Sequence, residues 1–106
     1  MTEEIIVLIT VASPDEGAKI AQALVDEHLA ACVNIIPGVR SFFFWEGKTQ
    51  EAAEALLLCK TTMPRMEAVI ARVKSLHSYT VPEIIALHVA GGLPAYLEWI
   101  LTSVRR

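Results

Sequence analysis

The run Ile5-Ile6-Val7-Leu8-Ile9-Thr10-Val11 is followed almost at once by Ser13-Pro14-Asp15-Glu16, and no other feature narrows the fold as much. The run is short, continuous and rich in β-branched residues, the pattern of a strand buried on both faces. The residues after it form a helix start. Ser13 is placed as N-cap, Pro14 occupies the first helical position, and Glu16 completes a capping box. Ala18, Ala21, Leu24, Val25 and Leu29 then recur at helical spacing, so the helix should run to about Glu27 or His28. The chain opens as a strand–helix unit.

The remaining punctuation is equally clear. Ala31 to Ile36 reads as a strand, Pro37-Gly38 interrupts it, and Val39 to Trp45 resumes it, which predicts a bulge or an edge position at the proline. Glu46-Gly47-Lys48 suits a hairpin turn. Thr49 to Thr62 is ambiguous: Gln50-Glu51-Ala52-Ala53-Glu54-Ala55 has helix-forming composition, yet it follows a hairpin turn. Pro64 to His77 predicts a helix through Met66, Val69, Ile70, Val73 and Leu76. Pro82 to Val89 predicts a strand. Gly91-Gly92-Leu93-Pro94 leads into a last helix with Tyr96, Leu97, Ile100, Leu101 and Val104 on its apolar face. Tyr96 and Trp99 are expected to pack that helix on the body, with Arg105 and Arg106 at its C-terminal dipole. If Thr49 to Thr62 is a strand, the order is β-α-β-β-α-β plus a helix. That is a ferredoxin-like α+β sandwich with both crossover helices on one sheet face. The other face then lacks cover, and oligomerisation is the simplest way to bury it.

Composition agrees. The chain has 106 residues, 54% hydrophobic, with a mean hydropathy of +0.47, so it is one domain spanning residues 1–106 and disorder is excluded. Its apolar runs reach about five residues against the roughly 20 that a membrane span needs. The net charge is −3 and the basic residues are scattered, which argues against nucleic acid as a partner. The acidic start carries no secretory pattern, and Cys32 and Cys59 lie in apolar segments; both point to a cytoplasmic chain with reduced thiols.

The common catalytic and phosphate-binding motifs are absent, and no enzyme is indicated. His28 and His77 each end a helix, and His88 lies in a strand; His28 reads first as a cap and His88 as a satisfied interior or interface group, whereas His77, before a segment dense in polar groups, reads equally as a helix terminus and as a functional group. Cys32 and Cys59 read as core thiols or as soft-metal ligands. Phe42-Phe43-Phe44-Trp45 places four of the seven aromatics in one strand, two to each face, so one face needs a partner surface.

Five segments carry a family resemblance over nearly the whole chain: Leu29-Ala30-Ala31-Cys32-Val33-Asn34-Ile35, Trp45-Glu46-Gly47-Lys48, Lys60-Thr61, His77-Ser78-Tyr79-Thr80-Val81-Pro82-Glu83-Ile84 and Tyr96-Leu97-Glu98-Trp99. Together they resemble the CutA family of divalent-cation tolerance proteins. The resemblance implies a ferredoxin-like protomer with a long hairpin of the second and third strands, which makes Thr49 to Thr62 a strand. It also implies a homotrimer joined by strand pairing, similar in shape to PII signalling proteins, and binding of Cu(II) or another divalent cation. Copper ligands proposed for enteric members fall at Val11, Leu76 and His77, and only His77 retains a ligating side chain. The implied metal ligands are His77, Cys32 and Glu83. Trp45, Lys60, Tyr79 and Glu83 are the implied residues of a polar cleft between subunits. A PII-like sensor that takes an anion at Lys60, without a physiological metal, is one alternative; a purely structural cleft, whose groups satisfy one another across the trimer interface, is the other.

Overall fold

The computed structural model describes residues Glu3 to Arg105. Its elements are β1 (Glu4–Val11), α1 (Pro14–Asp26), β2 (Cys32–Trp45), β3 (Lys48–Thr62), α2 (Met66–Leu76), β4 (Ile84–His88) and α3 (Pro94–Val104), with a 3₁₀ turn at Met63–Arg65 leading into α2. The sheet is antiparallel throughout, in the order β2-β3-β1-β4. This is the ferredoxin-like α+β arrangement, with Thr49 to Thr62 in a strand despite its helix-forming composition. Pairing with β1 on one side and β2 on the other overrides the weak local preference.

Alternation along β1 and β3 divides the sheet into two unlike faces. Ile5, Val7, Ile9 and Val11 pack with Ala55, Leu57 and Cys59 beneath Ile20 and Leu24 of α1 and Val69 and Val73 of α2; all are fully buried. The even-numbered residues of β1 after Glu4 are only half-buried. Burial of β1 on both faces, expected from its continuous apolar run, is therefore complete on one face only, because the second face has no full layer within the protomer. α3 covers part of that face. Its Ile100 and Val104 are buried outside the main core, and it lies against β3 and β1. Tyr96 and Trp99 do not seat it. They remain 42% and 45% exposed, stacked on each other with ring centroids 5.4 Å apart, because they flank the stripe that faces the sheet. Arg105 follows the helix as its C-cap, and Arg106 lies outside the described residues.

Helix ends follow from local chemistry. Ser13 Oγ accepts the Glu16 N–H at 3.1 Å. The returning arm of the box reaches Ala12 N rather than Ser13 N, at 2.9 Å. α1 ends at Asp26, just short of the expected boundary, and His28 takes φ 60 directly after the cap. His28 N–H bonds Val25 O and Leu29 N–H bonds Leu24 O, a Schellman closure with histidine where glycine is usual. α2 begins two residues later than predicted because Pro64 sits in the 3₁₀ turn. β4 is shorter than Pro82 to Val89, since Pro82 has no N–H for the β1 ladder.

The hairpin is the most extended part of the molecule, whose longest dimension is 44 Å. Glu46 (φ 53) and Gly47 (φ 80) form its turn, both left-handed as a two-residue type I′ connection requires. The predicted bulge falls between Ile36 and Val39, with Gly38 at φ 72. β1 ends opposite Ala55, so the hairpin beyond the bulge, Val39 to Trp45 against Lys48 to Glu54, projects as a two-stranded ribbon.

Candidate functional site

Two polar clusters stand out against the apolar sheet. The first gathers at the C-terminal end of β1. The end of α2 delivers His77, whose ring is fully buried. Its Nε2 donates to Thr10 O at 2.7 Å, and its Nδ1 accepts the Tyr79 N–H at 3.0 Å. Nδ1 must be unprotonated to accept, so this is the neutral Nε2–H tautomer with both ring nitrogens engaged. The Tyr79 ring packs 4.7 Å from the imidazole, and its hydroxyl donates to Glu54 Oε2 at 2.6 Å. Burial, with the Glu54 hydrogen bond and charge added, pushes the Tyr79 phenol up to about 12.

Glu16 completes this cluster from α1. One oxygen accepts Ala12 N–H, and the other accepts Ser78 N–H at 2.6 Å and lies 3.8 Å from His77 Nδ1. Burial works to raise its pKa, but the two backbone N–H bonds and the Ser78 hydroxyl outweigh it and hold the carboxyl below its ordinary value. Sequence reasoning read Glu16 as a cap and Glu54 as part of an ambiguous segment. Neither was expected at a site. The capping box was the only signal for Glu16, and the signal for Glu54 was its position on a strand that propensity disfavours.

The second cluster lies on the open sheet face. Cys32 and Lys60 are directly opposed on β2 and β3. The Lys60 ammonium and the Cys32 thiol both reach Asn34 Oδ1, the thiol at 3.9 Å. Tyr96 of α3 approaches Cys32; burial and that thiol raise its phenol pKa. Cys59 points the other way, into the core, where burial pushes its thiol up to about 12; the two cysteines are unbridged.

Within one protomer the residues expected to act together are dispersed. His77 adjoins Tyr79, and Cys32 adjoins Lys60, but the pairs belong to different clusters. Glu83 is exposed in the loop before β4, and His88 is exposed at the end of that strand. No group of three His, Cys, Asp or Glu side chains able to hold a metal occurs among the described residues. Trp45 pairs with Lys48 at the hairpin tip, and residues 48 and 60 of β3 are ~40 Å apart at ~3.3 Å per residue, so Trp45 and Lys60 cannot line one cleft inside one chain. They do share a sheet face. Lys48 and Lys60, like Glu54 that holds Tyr79, are even-numbered positions of β3, opposite in direction to the buried Ala55, Leu57 and Cys59.

Comparison with known proteins is consistent with this frame. The family model described as "CutA1 divalent ion tolerance protein" matches residues 5–103. A divalent-cation tolerance protein CutA of Thermus thermophilus is 53% identical over 97 residues, covering 92% of this chain and 94% of that protein. A chloroplastic CutA protein of rice, Oryza sativa, is 46% identical over 101 residues, and the alignment covers 95% of this chain but only 57% of the rice protein. The solved structure of the Thermus thermophilus divalent cation tolerance protein superposes with a TM-score of 0.94 at 50% identity, covering 96% of this chain and 99% of the other. No helix among the described residues is long and apolar enough to cross a membrane.

Proposed function

Because the chain belongs to the CutA1 divalent ion tolerance family, we propose that it serves divalent-cation tolerance as a cytoplasmic homotrimer, by binding rather than by catalysis. The observation that carries assembly is the incomplete sandwich. β2 and β4 present unpaired edges, and the open face exposes Phe43, Trp45, Ile85 and Leu87 by 40–53%. Exposed edges and apolar faces of this kind favour pairing with further copies of the chain. Assembly is also the only way for Trp45, Lys60, Tyr79 and Glu83 to line one cleft.

The cation in this reading is Cu(II), or another divalent ion, held between subunits with His77, Cys32 and Glu83 as candidate ligands. Imidazole, thiolate and carboxylate suit divalent first-row metals, among which Cu(II) binds most tightly. Coordination by His77 has to replace its bond with Tyr79 N–H or Thr10 O, so metal binding and the loop after α2 are linked. The second reading, a PII-like sensor or scaffold that takes an anion, is favoured by the Lys60 ammonium on the open face and by the dispersed candidate ligands.

Titration calorimetry with Cu(II), on the protein and on His77→Ala, together with sedimentation, separates them. A trimer with saturable, stoichiometric binding that is lost in His77→Ala supports the metal reading. A trimer that binds Cu(II) weakly, without stoichiometry, but gains melting temperature with anions supports the second. A monomer at micromolar concentration overturns both.

A further inference from the structure

We propose that the pocket between the end of β3 and the last turn of α3 binds a small zwitterion of the α-amino acid class. The pocket lies at the start of β1, at the opposite end of that strand from the His77 cluster, and the argument for it needs neither a metal nor a second copy of the chain.

Two neighbouring threonines mark the place. Thr61 faces the core, and its hydroxyl donates to Leu29 O at 2.7 Å. Thr62 faces the other way, against the end of α3, and is only 3% exposed. Its hydroxyl nevertheless has no hydrogen-bond partner and does not cap the 3₁₀ turn that it precedes. A buried hydroxyl is ordinarily paired. Among the described residues no fully enclosed side-chain oxygen lacks a partner, so the Thr62 hydroxyl opens onto the pocket that it lines.

The walls carry both signs of charge. Arg65 Nε donates at 2.8 Å to Val104 O, at the end of α3, which fixes the guanidinium beside the pocket. Arg105 adds a second guanidinium. Glu3 adds a carboxylate, and its main-chain oxygen is anchored by the Met63 N–H at 2.9 Å. Among the described residues Glu3 makes no ion pair with either arginine, so opposite charges share the pocket without closing on each other. The pocket holds about 230 Å³, below the roughly 300–1,000 Å³ of sites for drug-sized ligands, and Leu101 and Val104 give it an apolar wall.

An anion alone would meet the Glu3 carboxylate, and a cation alone would meet two guanidinium groups. A ligand with both charges satisfies all three, with its carboxylate on the arginines and its ammonium on Glu3. The Thr62 hydroxyl can donate to the first or accept from the second. The small volume and the apolar wall select a short aliphatic side chain.

The test measures melting temperature with millimolar glycine, L-alanine, L-valine and L-leucine, against acetate and ethylamine as single-charge controls. At least one amino acid should raise it in a saturable way, and the controls should not. Glu3→Gln and Arg105→Gln, both at exposed positions, should each weaken binding of that amino acid about tenfold in titration calorimetry. Thr62→Val keeps the shape, removes the hydroxyl and should weaken it too. Arg65 is left intact because it holds the end of α3. Lys60 lies two positions before Thr62 but does not line the pocket, so Lys60→Ala should change binding far less, which separates this pocket from the anion site of the second reading. No shift with any of the four amino acids, an equal shift with acetate, or binding that survives Glu3→Gln and Arg105→Gln but is lost in Lys60→Ala would overturn the proposal. Each of these results leaves Cu(II) binding and assembly to be decided by their own measurements.

Discussion

Replacing Glu54 by Gln tests the cluster that holds the loop after α2. The amide keeps an oxygen for the Tyr79 hydroxyl but removes the carboxylate charge. In the native protein Tyr79 is pushed up to about 12 from an ordinary value of 10, by burial first and then by Glu54 and Glu16. Two units correspond to ~2.7 kcal/mol at most, and solvent at the rim of the cluster screens this to about 1 kcal/mol. The folded-state value lies above the unfolded one. The contribution is therefore complete below pH 10 and is lost as pH rises towards 12. Phenolate absorbance reads the titration directly, because the chain has only two tyrosines and Tyr96→Phe removes the other. In that background Glu54→Gln should lower the Tyr79 midpoint towards its ordinary value, leaving the part due to burial, and should flatten the alkaline loss of stability. A midpoint that does not move would refute the assignment of Glu54 as the charged partner of Tyr79.

Other perturbations probe the core and the buried groups. Leu57→Ala, beneath α1, should cost about 2–5 kcal/mol in denaturant unfolding. A Cβ at Gly17 would lie 3.0 Å from Leu57 Cδ2 and 3.2 Å from Val11 Cγ2, so Gly17→Leu should destabilise by at least ~1–3 kcal/mol despite its better helix propensity. Glu16 has a depressed pKa, so its stabilisation is present above the ordinary carboxylate range and is lost as pH falls through its native value. Glu16→Gln should therefore be less stable near neutrality and show a shallower acid limb in stability measured against pH. Cys59, buried and pushed up to about 12, should resist thiol reagents until the chain unfolds, as a timed thiol assay will show.

Most of the fold was legible where local chemistry and tertiary need coincide. The β-branched run of β1, the Ser13 cap and the Gly47 turn each allow few conformations, and all three form as read. β3 was not legible from its own residues. Ala52, Ala53, Glu54 and Ala55 favour a helix, and only the pairing partners decide otherwise, so the family resemblance supplied what propensity missed. The end of α1 was blurred because His28 performs the left-handed closure that glycine would have signalled. The site was less legible than the fold. His77 and Tyr79 are neighbours in sequence and were found together, but their partners Glu16 and Glu54 come from other elements. A carboxylate that caps a helix gives no sign in sequence that its second oxygen is used elsewhere.

That second oxygen has a kinetic consequence. Glu16 fastens the first turn of α1 to Ser78, a residue 62 positions away. The two oxygens of one carboxylate hold the Ala12 and Ser78 amides, so a swing of the Glu16 side chain withdraws it from both, and the start of one helix and the exit of the other are freed together. Their amides should exchange with deuterium at a common rate, as one cooperative unit, although an N-terminal turn is ordinarily among the first parts of a helix to open.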